Sequence, residues 1–399
     1  MDLDGRLNPL AQLTLSELRT RTSVKWQVYP PDVLPMWVAE MDTPLAPPIR
    51  QVLAEAVERG DTGYAHPGRL REAFSTFAGS RFGWRVDPAA VAVIPNVLHG
   101  IATVLEQVTA PGDGVLINSP VYHPFYSYIP MAGRQVVTCP LVPDAAGRWS
   151  LDLDRLEAAL ARPDVTAYLL CSPHNPTGTV FDREELLAVA ALAERHRVRM
   201  IVDEIHGPLT YPGAVFTPFL SLADRAAAAA DGFAFTSASK AWNLAGLVTA
   251  VLIGGPGALA DLAALPRRAR DGVGPLRVLA AEAAFLRGEP WLDALLVGLD
   301  ANRRLLAELL AERLPAVRYR PPEGTYLAWL DCRGLRIGDD DPAKGFLRRG
   351  RVALNGGPMF GDPGKGHVRL CFATSPAILA EGVDRMAAAV AAADGDSQG

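Results

Sequence analysis

This chain predicts an α/β fold: a large domain on a mostly parallel seven-stranded sheet, with a smaller α+β domain beside it. Three observations lead there. From about Pro47 to the 270s, short apolar runs alternate with helical stretches, the pattern of strands joined by crossover helices. Several of these runs are apolar without interruption, as strands covered on both faces require. Past Pro275 the texture changes to long Ala/Leu/Arg/Glu helices and a later pair of strand-like segments.

The strand candidates of the large domain are 91–94, 114–117, 135–139, 167–171, 199–202, 233–236 and 250–253. Helices are signalled at 101–108, 153–161 and 183–196, the last behind Asp182 as N-cap with Glu185 three positions on. The uncharged stretch 241–260 is broken by Gly254-Gly255-Pro256-Gly257, so it reads as a buried strand and turn rather than a membrane span. In the second domain, strands are expected at 325–330 and 367–372 and a helix at 376–393, with a frayed tail over 394–399. A leading helix at 14–19 and the Pro-rich passages after it are expected to join that part. The domains are therefore 47–275, and 1–46 with 276–399.

Composition narrows the function. With 399 residues, 49% hydrophobic and 21% charged, the chain can bury a large core. A formal net charge of -5 speaks against a nucleic-acid surface, and Arg348, Arg349 and Arg351 form only a short basic run. Cys139, Cys171, Cys332 and Cys371 are widely spaced, which suggests neither a zinc site nor a disulfide framework. The acidic N-terminus lacks the apolar core of a signal peptide, so a cytoplasmic location is expected.

The chemistry is signalled by an acid and an amine, each placed at the end of an apolar strand. Asp203, in Val202-Asp203-Glu204-Ile205-His206, is suited to keep a pyridine nitrogen protonated. Lys240, in Ser237-Ala238-Ser239-Lys240, is suited to form an imine, and together the two suggest pyridoxal 5′-phosphate as cofactor. Taken singly, Lys240 is a surface lysine and Asp203 a helix cap or turn residue. Ser237 and Ser239 offer hydroxyls to a phosphate. Val97 and Leu98, at a strand-to-helix junction, offer backbone amides. Asn175, in Ser172-Pro173-His174-Asn175-Pro176-Thr177-Gly178, can aim its amide at the phenolic oxygen or simply serve a turn. Tyr122 can stack on the pyridine face or pack in the core. His206 reads equally as a cofactor contact or a cap. Arg369, alternating with apolar neighbours in His367-Val368-Arg369-Leu370, suits the carboxylate of an amino-acid substrate, with a structural ion pair as the alternative. Tyr64, in Gly63-Tyr64-Ala65-His66-Pro67, can donate a hydroxyl to a phosphate.

In this order the Asn-Pro turn, the Asp-Glu-Ile-His and the Ser-Ala-Ser-Lys resemble fold-type I PLP enzymes, in the class-I/II aminotransferase superfamily. Thr22-Ser23-Val24-Lys25-Trp26, Trp37-Val38-Ala39-Glu40-Met41-Asp42 and Glu323-Gly324-Thr325-Tyr326-Leu327-Ala328-Trp329 extend the likeness to the MalY/PatB-type cystathionine β-lyases. The resemblance implies the PLP-dependent transferase fold type I and a homodimer with active sites at the subunit interface, where Tyr64 reaches across. It implies cleavage of the carbon–sulfur bond of cystathionine or a related cysteine S-conjugate, with Lys240 as base and Tyr64 or Tyr122 protonating the sulfur. The chain departs from ordinary aminotransferases at Val248, where many carry an arginine for the phosphate. It departs from the lyase branch at Cys371 and Thr179. An aminotransferase using the same residues stays open as a second reading. A PLP-binding regulatory module is a third, against which stands the lack of a basic helix-turn-helix segment in the short N-terminus.

Overall fold

The computed structural model describes residues 8–338 and 340–396. Helices Pro47–Glu58 (α1) and Leu70–Phe82 (α2) lead into the large sheet. Its elements follow as Val91–Ile94 (β1), Val97–Val108 (α3), Gly114–Ile117 (β2), Phe125–Met131 (α4) and Gln135–Thr138 (β3). Next come Leu153–Leu160 (α5), Val165–Cys171 (β4), Arg183–His196 (α6), Arg199–Asp203 (β5), Phe233–Thr236 (β6), the short helix Ala238–Ala241 (α7) and Ala250–Gly254 (β7). The strand order is β1-β7-β6-β5-β4-β2-β3, with β7 antiparallel to both neighbours and every other pairing parallel. Since β7 reverses direction between β1 and β6, the C-terminal ends of β1, β2, β4, β5 and β6 share one edge. Ligands of open α/β sheets bind at that edge.

The apolar runs are continuous because this sheet is covered twice. Ile94, Ile117, Leu169 and Ile201 face a core shared with α3 and α4. Their neighbours Val93, Leu116, Leu170 and Val202 face the opposite core, shared with α6. Successive side chains on a strand point to opposite faces, so both parities must be apolar. Each such fully buried side chain contributes about 1.5–3 kcal/mol. Leu169→Ala would cost about 2–5 kcal/mol.

Beyond the sheet, Pro275–Arg287 (α8) packs on α1 and α2, and the long helix Glu289–Arg313 (α9) follows. A second, antiparallel sheet holds Arg318–Tyr319 (β8), Leu327–Asp331 (β9), Asn355–Gly356 (β10) and His367–Cys371 (β11) in the order β8-β9-β11-β10. The closing helix is Pro376–Asp396 (α10). The N-terminal segment joins this half: Leu34 and Pro35 pair in parallel with Val352 and Ala353.

Differences from the sequence reading fall at element ends, where caps decide. Helix α3 begins at Val97 rather than 101, because Asn96 caps it by accepting the His99 N–H at 2.8 Å. Helix α6 follows Asp182 as expected, and the reciprocal Asp182–Glu185 capping box is formed. The leading helix shortens to Leu15–Leu18, with β4 starting early at Val165 and β9 late at Leu327. The tail is not frayed from 394. Helix α10 continues to Asp396, while 397–399 lie outside the described residues.

Candidate active site

The shared edge of the large sheet collects the chemistry. Asn96 and the first turn of α3 follow β1, Tyr122 follows β2, Asn175 follows β4, Asp203 ends β5, and Lys240 sits on α7 just past β6. Ala245 and Val248 approach from the start of β7. Together these residues line a cavity of about 550 Å³, closed on the other side by Trp37, Val38 and Ala39 of the N-terminal segment and by Asn355 and Arg369 of the second sheet.

Asp203 is buried, and one of its oxygens accepts the Ile205 N–H at 3.1 Å. Burial pushes its pKa up to about 6, opposed by that hydrogen bond and by Lys240. A buried carboxylate of this kind favours a cationic partner. Lys240 is pulled down to about 8, first by burial and then by Arg369. Its ammonium donates to the Ala39 carbonyl at 3.2 Å. Burial pushes Tyr122 up to about 12, so its hydroxyl keeps its proton at neutral pH. His206 is held well below its ordinary value by burial, Lys240 and Arg369. Its Nδ1 is buried and unpartnered among the described residues.

Arg369 projects from β11 and is 3% exposed. It donates to Asn175 Oδ1 at 3.0 Å, to Asn355 Oδ1 at 2.6 Å and to the Trp37 carbonyl at 3.1 Å. Among the described residues no carboxylate pairs with it, so its fork is held by neutral acceptors that a substrate carboxylate can outbid. Because Asn175 spends its oxygen on Arg369, its amide nitrogen is the side left to donate elsewhere. The turn carrying Asn175 is held to the second sheet's side: Glu323 and Gly324 N–H groups donate to the Gly178 carbonyl at 2.9 and 3.0 Å. Gly178 sits at φ 72°, and a side chain there would collide with Pro322.

Val97, Leu98, Ser239, Tyr122, Asn175, Asp203, His206, Lys240 and Arg369 all line this one cavity. Val97 and Leu98 stand in the first turn of α3, where backbone N–H groups have no helical acceptor. Two expected residues are not brought in. The Ser237 hydroxyl donates to the Thr249 carbonyl at 2.6 Å and accepts the Ser239 N–H at 3.1 Å, so it caps α7 instead of facing a phosphate. Tyr64 is fully exposed on an irregular stretch between α1 and α2 and does not reach its own chain's cavity.

The sequence reading missed Asn355, His123 and the Ala39 carbonyl. His123 lines the cavity, and burial together with Arg369 lowers it to about 4, so it is neutral. Its place directly after Tyr122 was the one available signal. Asn355 had none.

These residues fit pyridoxal 5′-phosphate on the chemistry of the donor set: a buried acid for the ring nitrogen, an amine of lowered pKa, free amides at a helix start, and the orphaned His206 Nδ1. The only formal cations lining the cavity among the described residues are Lys240 and Arg369, and the neutral Val248 lines it beside them.

Comparison with known proteins agrees. Residues 32–386 match the model of aminotransferase class I and II. A Mycobacterium tuberculosis protein is 48% identical over 404 residues, 95% of this chain and 97% of its own. The cystathionine beta-lyase of Corynebacterium glutamicum is 37% identical, covering 94% of this chain and 98% of its own. The solved structure of the PLP-bound C-S lyase from Staphylococcus hominis superposes with a TM-score of 0.85 at 26% identity, over 92% of this chain and 96% of that one.

Proposed function

This chain belongs to the aminotransferase class I and II family, and from that premise we propose that it is a PLP-dependent carbon–sulfur β-lyase. Its substrate is L-cystathionine or a related cysteine S-conjugate, released as a thiol, pyruvate and ammonia. The observation that carries this reading is the convergence of Lys240, Asp203 and Arg369 on one cavity, in a chain whose relatives include cystathionine beta-lyases.

Bound PLP supplies an electron sink for the carbanion formed at the substrate's Cα. The chain supplies the rest. Arg369 turns its two nitrogens to the substrate carboxylate and fixes Cα near Lys240. Lys240, whose pKa burial lowers to about 8 so that a large share is neutral near that pH, takes the Cα proton as general base. Asp203 holds a proton at the ring nitrogen. Tyr122, lining the same cavity, would face the ring, and burial keeps its hydroxyl proton available for the leaving sulfur. Trp37, Val38 and Ile205 give the cavity apolar wall beside these groups.

The same reading assigns Tyr64 to the cavity of a second copy, since it is fully exposed in its own chain. The exposed Val24 and Met359 at the rim supply apolar area for such a dimer. The two domains are taken as 47–275, and 1–46 with 276–399. Free buried cysteines suit a cytoplasmic home, and no helix among the described residues is long and apolar enough to cross a membrane.

The test is to supply cystathionine and PLP without any 2-oxo acid. Thiol and pyruvate in equal amounts are expected. Amino transfer that needs a 2-oxo acid, with no thiol released, would instead identify an aminotransferase.

A further inference from the structure

Two segments of the N-terminal region, Ser23-Val24-Lys25-Trp26 and Trp37-Val38-Ala39-Glu40-Met41-Asp42, line the cavity in part and carry no side chain that acts in the chemistry above, yet they are tied to each other beside it. Lys25 Nζ lies 2.7 Å from Asp42 Oδ1, with the two side chains 1% and 2% exposed. Lys25 also donates to the Glu40 carbonyl at 3.2 Å, and Ser23 donates to the Glu40 carboxylate at 2.6 Å. The strap 36–42 is anchored to the second sheet at both ends: the Cys371 N–H donates to the Met36 carbonyl and the Asp42 N–H to the Ala373 carbonyl, each at 2.9 Å. Asn243, in the loop after Lys240, grips the strap near its C-terminal end by donating to the Met41 carbonyl at 2.7 Å and accepting the Met41 N–H at 2.8 Å.

Between these anchors two carbonyls face inward. Trp37 O accepts from Arg369 at 3.1 Å. Ala39 O accepts from Lys240 at 3.2 Å and from the buried Tyr326 hydroxyl at 3.1 Å. We infer that Lys25 and Asp42 are positioning residues whose buried ion pair holds the strap so that its Ala39 and Trp37 carbonyls orient Lys240 and Arg369. The inference rests on the reading that these two cations are the reactive amine and the carboxylate clamp.

The physical case begins with cost. Desolvating two charges offsets most of their attraction, and apolar side chains of similar volume usually stabilise as much. What an ion pair adds is direction. Lys25 holds the Glu40 carbonyl, and the planar peptide that carries the Ala39 carbonyl is fixed at its other edge, where the Glu40 N–H donates to the Val38 carbonyl at 2.8 Å. A substrate that displaces the Lys240 amine returns it to solution-like freedom unless an acceptor receives it. The Ala39 carbonyl, which accepts from the Lys240 ammonium at 3.2 Å, is placed to be that acceptor.

The test replaces the pair by an apolar one, Lys25→Met with Asp42→Leu, so that no lone charge is left buried. In the full chain without cofactor, acetic anhydride labels neutral amines, and mass spectrometry follows Lys240 against pH. Lys240 is faced by Asp203, Glu40 and Cys371, which favour its charge, and by Arg369 and His206. Losing the Ala39 acceptor removes a hydrogen bond to the charged form, so the labelling midpoint should fall by about one pH unit. In the holoenzyme kcat should fall about tenfold while KM changes less than about threefold. Asn243→Gly releases the strap from the opposite side, and glycine is at home at its φ of 57°. It should move the midpoint in the same direction, and it decides the matter if the double variant does not fold. Folded variants that label as the parent does overturn the inference. Because labelling needs neither cofactor nor substrate, it stands apart from the question of which reaction the protein catalyses.

Discussion

The two walls of the cavity are built by different means. On the large-sheet side, each functional group stands at or just past the end of a parallel strand, so the sheet itself sets its position. On the opposite side, Arg369 comes from an antiparallel sheet and the groups that orient it are a backbone carbonyl, Trp37 O, and the amides Asn175 and Asn355. The first wall is rigid because strands on both sides of each group are covered by core. The second is adjustable, since neutral acceptors surrender a guanidinium to a carboxylate. One wall suits a resident cofactor and the other a substrate that comes and goes.

Substitutions on the two walls should therefore fail differently. The largest effect is expected for Lys240→Ala, which removes the amine that attaches the cofactor and moves the proton. Turnover should fall by about 10³-fold or more, with no cofactor mass retained on the protein after borohydride reduction. Asp203→Asn should follow, lowering kcat about 10²–10³-fold with little loss in thermal stability, because burial already disfavours the charge that is removed. If Asp203→Asn turned over normally, the sheet-edge wall would lose its electronic role.

Arg369→Lys tests the other wall. It keeps a positive charge but loses the planar fork, so KM should rise about 10–100-fold with a smaller change in kcat. A drop confined to kcat would mean that the guanidinium serves the chemistry rather than the hold on substrate.

The smallest expected effect is a pH dependence. Lys240 attacks an aldehyde only as the neutral amine. Its folded pKa of about 8, against an ordinary 10.5, places the rise in capture rate lower than for an exposed lysine. Capture of PLP by the cofactor-free chain, followed by its absorbance, should climb through about pH 8 and level off above it. A climb continuing toward the ordinary value would show that burial does not depress this amine.

The same contrast explains what could be read from the chain. Asp203 and Lys240 were legible because a polar residue directly after an apolar strand run marks a sheet edge, and the local sequence places both. Arg369 was legible for a related reason, as a charge at an inward-facing position of a strand. The Ala39 carbonyl was not, since every residue carries one and only folding brings it to Lys240, 201 positions away. Asn355 was equally silent. Tyr64 was assigned to a site that its own chain does not bring to it, because sequence does not distinguish contacts within a chain from contacts between copies. Ser237 shows a second ambiguity, since a serine after a strand serves a helix cap as readily as a phosphate, and in this structure its hydroxyl caps the helix.

Val248 leaves a lasting mark on how this molecule keeps its coenzyme. With no arginine among the described residues beside the start of α3, a phosphate there would be gripped by peptide dipoles and the Ser239 hydroxyl, whose pull varies little with ionic strength. Dialysis against concentrated potassium chloride should then strip the coenzyme scarcely faster than dialysis against dilute buffer. Inorganic phosphate, which competes for the amides themselves, should speed its loss.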